Sequence, residues 1–129
     1  MSFLNNKSDF NLEGAKLLIE NSLYAPSVHC SYYSVFQKLK YKYTTKASIS
    51  YDELTQNIFA DKRNTHKYII DEFCNFIQDR YKKRDIKNKI NDLKAFRNQS
   101  DYDDIEINHS ISSLALTKSE ELLKELKTL

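Results

Sequence analysis

Apolar residues recur at spacings of three and four along most of the chain. Leu12, Ala15, Ile19 and Leu23 fall on one stripe and predict a first helix over about 11–23. It ends before Tyr24-Ala25-Pro26, because the residue ahead of a proline resists the α conformation. Pro26 suits the first turn of a second helix, where a missing N–H does no harm. That helix runs to about Thr44, with Val28, Tyr32, Val35, Phe36, Leu39 and Tyr43 as a broad apolar face. The stretch TTKASIS reads as a loop. Ser50 and Glu53 then have capping-box spacing and predict a short helix over 51–60. After the turn-like DKRNT, Ile69, Phe73, Phe76 and Ile77 predict a helix from Thr65 to about Arg80. Ile86, Ile90, Leu93 and Phe96 predict another over about 83–99, with no clear boundary between the two, so that one long helix is the alternative. Beyond Ser100, Asp103 and Glu106 are candidate caps for a last helix to about Lys127. Its stripe is Ile107, Ile111, Leu114, Leu122 and Leu126, diluted by Lys118.

The pattern gives four long helices and a short one, joined mostly by short loops that favour antiparallel neighbours. Composition agrees. The chain has 129 residues, the size of one domain, and only one glycine and one proline, where a sheet protein needs several of each for its turns. An all-α bundle occupying 1–129 is expected. The formal net charge of +2 is small for a constitutive duplex-DNA binder. Charge is nevertheless uneven: Lys82 to Lys94 is basic and Asp101 to Glu106 acidic, as in a solvated helix followed by an acidic cap. Cys30 and Cys74 sit among aromatic or apolar neighbours with no CxxC, and read as reduced core or near-core residues; the sequence also allows a disulfide between them. MSFLNNKSDF lacks the basic start and apolar run of a signal peptide, and no stretch approaches a membrane span, so a cytoplasmic location without membrane attachment is expected.

No P-loop, GxGxxG or zinc-type Cys/His pairing occurs, so no metal or cofactor is expected. His29, His66 and His109 lie on three different predicted helices and read first as structural histidines. The nine tyrosines read as core residues with hydroxyls at the rim, or as base-stacking groups if a basic surface is near.

Three segments, in order, resemble the HEPN family. The first runs from Ala15-Lys16-Leu17-Leu18 to His29-Cys30-Ser31-Tyr32-Tyr33-Ser34-Val35-Phe36, similar to the family's amphipathic first helix and following "sYYamF"-like run. The second, Thr65-His66-Lys67 through Phe73, is similar to its "H…v…F" helix start. The third, Leu93 to Tyr102 (LKAFRNQSDY), looks like the helix that ends in "lR…aDY". The resemblance spans nearly the whole chain. It implies an up-and-down four-helix bundle with a short additional helix, commonly a homodimer. Many members are metal-independent ribonucleases, toxins or defence proteins, and some are encoded beside a small nucleotidyltransferase that serves as antitoxin. Their motif is Arg-polar-x-x-x-His. A base activates the ribose 2′-OH while the arginine stabilises phosphate charge.

Carried over by position, Arg97 matches the motif's arginine and Asn98 its polar residue, but Tyr102 stands where the histidine belongs. A tyrosine, with an unperturbed pKa of about 10, is a poor base at neutral pH, yet it can donate a hydrogen bond to phosphate. Arg97, Asn98 and Tyr102 are therefore the candidate catalytic residues. Ser31, Tyr33, Arg97 and Asp101 are the candidate RNA or nucleotide contacts. Arg97 and Asp101, four apart, share a helical face and form a candidate ion pair. Arg97 and Tyr102, about 140° apart on a straight helix, converge only if the helix ends or bends near Ser100, or if a second subunit contributes. Of Tyr32 and Tyr33, one is expected in the core and the other beside Arg97, while packing in the core or at an interface is the first reading for Tyr102. Two functions follow: a protein acting on or binding RNA or nucleotides, or a non-catalytic module that dimerises and binds a protein such as a small nucleotidyltransferase.

Overall fold

Short polar side chains decide where five of the six helices begin. In the computed structural model, which describes residues 2–129, α1 spans Phe3–Glu20. The Ser2 Oγ accepts from the Asn5 amide at its start. In the same way Ser50 caps α3 (Tyr51–Ala60), Asn64 caps α4 (Thr65–Cys74), Asp79 caps α5 (Arg80–Tyr102) and Asn108 caps α6 (His109–Lys127). Only α2 (Tyr24–Ala47) lacks a side-chain cap at its start. It follows a tight turn in which Ser22 takes a positive φ of 61°. There the Leu23 and Ser22 amides close back on the Leu18 and Ile19 carbonyls, satisfying the last groups of α1.

The all-helical fold and the bundle agree with the sequence pattern, and 51–60 is helical as read. Several boundaries differ, and α2 runs on to Ala47 through the first half of the stretch read as a loop. The first helix begins at Phe3, because its early turns bury Ser8 rather than an apolar residue. Leu23 is not part of its stripe: it is exposed and precedes α2. The 65–99 region is two helices, broken at 75–79, and Phe76 beyond the break is exposed while Ile77 remains buried. The last helix is capped by Asn108 instead of Asp103 or Glu106. Its inward face carries Ser112, Ala115, Ser119, Leu122 and Leu126, which turns Leu114 outward.

The four long helices form the bundle. α1 packs on α2, α2 on α5, α5 on α6 and α6 back on α1, so the ring closes; α2 also touches α6 across it. Neighbours alternate in direction. Ser8 meets Ser34 and Ala15 meets Ser27, which makes α1 and α2 antiparallel. Ala25 meets Ser100 and Tyr33 meets Arg97, so α2 and α5 are antiparallel as well. This is an up-and-down arrangement. The α4 helix fills the side between α2 and α5, burying Tyr68, Ile69, Ile70, Phe73 and Cys74. Cys30 and Cys74 are both free thiols, as read.

The α1–α2–α6 seam is built from serines. Ser8, Ser27, Ser31, Ser34, Ser112 and Ser119 are fully buried. The Ser8 Oγ donates to the Ser34 carbonyl at 2.5 Å and the Ser27 Oγ to the Ala15 carbonyl at 2.8 Å. The Ser34 and Ser119 hydroxyls meet at 2.7 Å. Small side chains let the helices approach closely, and the Ser8, Ser27, Ser34 and Ser119 hydroxyls find partners across the gap. On the outer face of α1, by contrast, Phe3, Phe10 and Leu17 stand exposed at intervals of seven.

The single glycine tests how tight that seam is. A Cβ added at Gly14 would meet the Cys30 Sγ at 3.9 Å, an ordinary contact. Gly14 lies inside a helix, so Gly14→Ala is expected to stabilise the protein by about 0.5–1 kcal/mol in urea unfolding. A destabilised variant would mean that the α1–α2 approach depends on the missing side chain.

Candidate nucleic-acid site around Arg97

The end of α5 lies against the start of α2, and Ser100 ties them through a 2.8 Å bond to the Ala25 carbonyl. This juxtaposition gathers side chains around Arg97, whose own side chain is only 12% exposed. Its Nε donates to Asp101 Oδ2 at 2.9 Å and its Nη1 to Asn98 Oδ1 at 3.2 Å. Nη2 donates to the hydroxyls of Tyr33 at 3.0 Å and Tyr102 at 3.2 Å. The guanidinium also lies over the rings of Tyr33 and Tyr102, 5.3 Å from each centroid.

Arg97 and Tyr102 meet within one chain because Tyr102 is the last residue of α5. Helical side chains lean toward the N-terminus, so the phenol folds back over the turn that carries Arg97. Tyr102 is 72% exposed, so the core-packing reading of it does not hold. Of the two adjacent tyrosines, Tyr32 is in the core and Tyr33 lines the site, as read. Ser31 is not in the cluster. It is fully buried, on the same α2 face as Ser27 and Ser34, and its Oγ has no partner among the described residues.

Two histidines join the site from other helices. His29, one turn before Tyr33, places Nδ1 2.8 Å from Asp101 Oδ2, the same oxygen that accepts from Arg97. Its ring lies 4.6 Å from that of Tyr33. His66, in the first turn of α4, is stacked on Phe36 at 4.2 Å, and its Nδ1 lies 2.6 Å from the Tyr32 hydroxyl. Burial, then the charges of Arg97 and Lys94, push the His66 pKa down to about 4, so its ring is neutral and Tyr32 donates to it. Burial holds the Tyr32 hydroxyl well above the usual phenol range. The sequence signal for His29 was its four-residue spacing from Tyr33. His66 carried no signal of proximity.

Two lysines of the basic stretch of α5 are engaged in ion pairs with other helices. Lys87 meets Asp71 at 2.9 Å, and Lys89 meets Glu125 at 2.7 Å. Lys94, one turn before Arg97, is lowered in pKa by burial and by the positive charges of Lys67 and Arg97. Lys94 and Arg97 thus lie near one another, just ahead of the acidic stretch from Asp101 to Glu106. Among the described residues no group of three or more His, Cys, Asp or Glu side chains is placed to hold a metal ion, and no helix is long and apolar enough to cross a membrane.

The electrostatics define what the cluster can do. Arg97 draws the oxygens of Asp101, Asn98, Tyr33 and Tyr102 toward itself. What remains for an incoming group is the two phenolic hydrogens, the Asn98 amide nitrogen and the second Nη1 hydrogen as donors, beside the other carboxylate oxygen of Asp101. A phosphate oxygen is the acceptor such a set fits. Compared with known proteins, residues 1–129 match the family model described as HEPN domain. No curated protein matches, and no solved structure matches.

Proposed function

The chain belongs to the HEPN domain family, and on that premise we propose that it binds RNA, with a backbone phosphate seated on Arg97. The observation that supports this is the donor set just described: one arginine fork whose acceptor partners are all turned inward. The exposed Tyr102 ring offers a face on which an unstacked base can rest, which suits single-stranded RNA. A toxin or defence role is the setting in which such a protein would act.

The test is fluorescence anisotropy with a labelled single-stranded oligoribonucleotide. Arg97→Ala is expected to weaken binding at least about tenfold, the effect of a lost charge-assisted contact. Arg97→Lys restores only part of it, because an ammonium lacks the fork that organises Asn98, Tyr33 and Tyr102. A folded Arg97→Ala protein that binds like the wild type would remove the reading. Competition by a mononucleotide at equal phosphate concentration would shift the ligand from RNA to free nucleotide.

A second reading draws on a different observation. The exposed Phe3, Phe10 and Leu17 give α1 an apolar outer face away from Arg97. Such a face favours a module that self-associates or binds a protein, a small nucleotidyltransferase being the partner the family implies. Tyr102 in place of the motif histidine supports the same reading.

A further inference from the structure

We propose that His29 is the proton-transfer group of this site, replacing from α2 the histidine that α5 lacks, and that the protein therefore cleaves the RNA it binds. The inference rests on the reading that RNA seats at Arg97.

The geometry that carries it is one shared carboxylate oxygen. Asp101 Oδ2 accepts from Arg97 Nε at 2.9 Å and faces His29 Nδ1 at 2.8 Å. A carboxylate clamped by arginine is a fixed acceptor, so it selects the tautomer with the proton on Nδ1. The lone pair then sits on Nε2, at the far side of the ring. Nε2 has no hydrogen-bond partner among the described residues, and the His29 side chain is 45% exposed, so a substrate can reach it. The ring also lies against that of Tyr33, whose hydroxyl is on Arg97. An imidazole free at one nitrogen thus stands beside the phosphate position and is held by the same acid that holds the arginine. The charged and titratable groups facing it are Asp101 and Arg97 on α5 and Tyr33 on its own helix.

Neither other histidine fits. The His66 ring is stacked on Phe36 with its Nδ1 engaged by Tyr32, inside the packing between α2 and α4. His109 lies at the start of α6, against the Tyr24 ring. The α5 segment itself supplies only Tyr102.

The step balances without a metal or a co-reactant. His29 Nε2 takes the proton of the ribose 2′-OH, and the 2′-oxygen forms a bond to phosphorus. The bond from phosphorus to the 5′-oxygen breaks, and that oxygen takes a proton from water. The imidazolium then returns its proton to solvent. The products are a 2′,3′-cyclic phosphate and a 5′-hydroxyl end. Arg97 with the Tyr33 and Tyr102 hydroxyls steadies the charge on the non-bridging oxygens.

The experiment pairs binding and cleavage on the same end-labelled oligoribonucleotide, with EDTA present. The wild type is expected to produce 2′,3′-cyclic ends, and an oligonucleotide with a single 2′-deoxy position to be spared at that position. His29→Ala should lose at least about a hundredfold in rate, the scale of a removed general base, with affinity unchanged within about threefold. Added imidazole should restore part of the rate. His29→Gln, which keeps bulk and polarity, serves as the second variant, and circular dichroism checks that both are folded. Arg97-dependent binding without cleavage by the wild type would overturn the His29 assignment and leave the binding reading standing. Absence of Arg97-dependent binding would overturn the binding reading itself. Cleavage by folded His29→Gln or His29→Ala at the wild-type rate would place the base elsewhere.

Discussion

Ser34→Leu is expected to lower the thermal midpoint by roughly 10 °C or more, from a stability loss of about 3 kcal/mol. Ser34 is fully buried between α1, α2 and α6, and its hydroxyl lies 2.7 Å from that of Ser119. Its carbonyl accepts from Ser8 at 2.5 Å, so the two helix backbones are very close at this point. A leucine has to fit where one hydroxyl did. Overpacking a filled interior costs about 1–3 kcal/mol. Leaving the Ser119 hydroxyl buried without a partner adds about 1–3 kcal/mol. Ser34→Ala separates the two contributions, since it removes the hydroxyl and adds no volume. It should cost about 1–2 kcal/mol, less than the leucine variant. Thermal melts followed by circular dichroism read both. A leucine variant that melts within a few degrees of the wild type would mean the helices can separate freely, and that small side chains do not set their spacing.

That seam also explains where the sequence was and was not legible. The faces of α2 and α4 are broad and apolar, so Tyr32, Val35, Leu39, Ile69 and Phe73 announced themselves by spacing alone, and each is buried. The capping box at Ser50 located α3 because the cap is a local device, and its bond to the Glu53 amide is present. The start of α1 was not legible, because a helix that buries Ser8 against a backbone carbonyl shows no apolar stripe there. The start of α6 was missed for a related reason. Several polar residues in a row were plausible caps, and only packing decides that Asn108 is the one used. In the site, Arg97, Asn98, Asp101 and Tyr102 share one helix end and could be read together. Tyr33 followed from the aromatic pair, one member of which had to leave the core. Ser31 was misplaced because two residues along a helix is a turn of about 200°, which sends it to the serine seam and away from Tyr33. His29 stands one turn from Tyr33 on α2, whereas His66 reaches the cluster through the packing of α4, and no local spacing encodes that distance.

Acidification should expose the His66 packing as a loss of stability between about pH 6.5 and pH 4, worth roughly 2 kcal/mol after discounting for solvent screening. The sign follows from the proton count. Burial first, then Arg97 and Lys94, push the His66 pKa in the folded protein down to about 4, whereas in the unfolded chain it titrates near the ordinary value of 6.5. Between those values the unfolded chain holds more protons, so falling pH favours unfolding. The full contribution is present above the unfolded pKa and is gone below the folded one. Protonation would place a charge on a ring stacked 4.2 Å from Phe36 and beside two cations, and Nδ1 could no longer accept from Tyr32. Urea unfolding at a series of pH values reads the slope, and His66→Gln supplies the control. The variant is less stable at neutral pH but should show a flatter profile over this window. Asp71, also held low in pKa, contributes only at more acidic pH, where its carboxylate protonates in the unfolded chain. An equal slope in wild type and variant would assign the acid sensitivity to another group. It would also mean that the His66 ring accepts a proton inside the folded bundle, next to Arg97, without penalty.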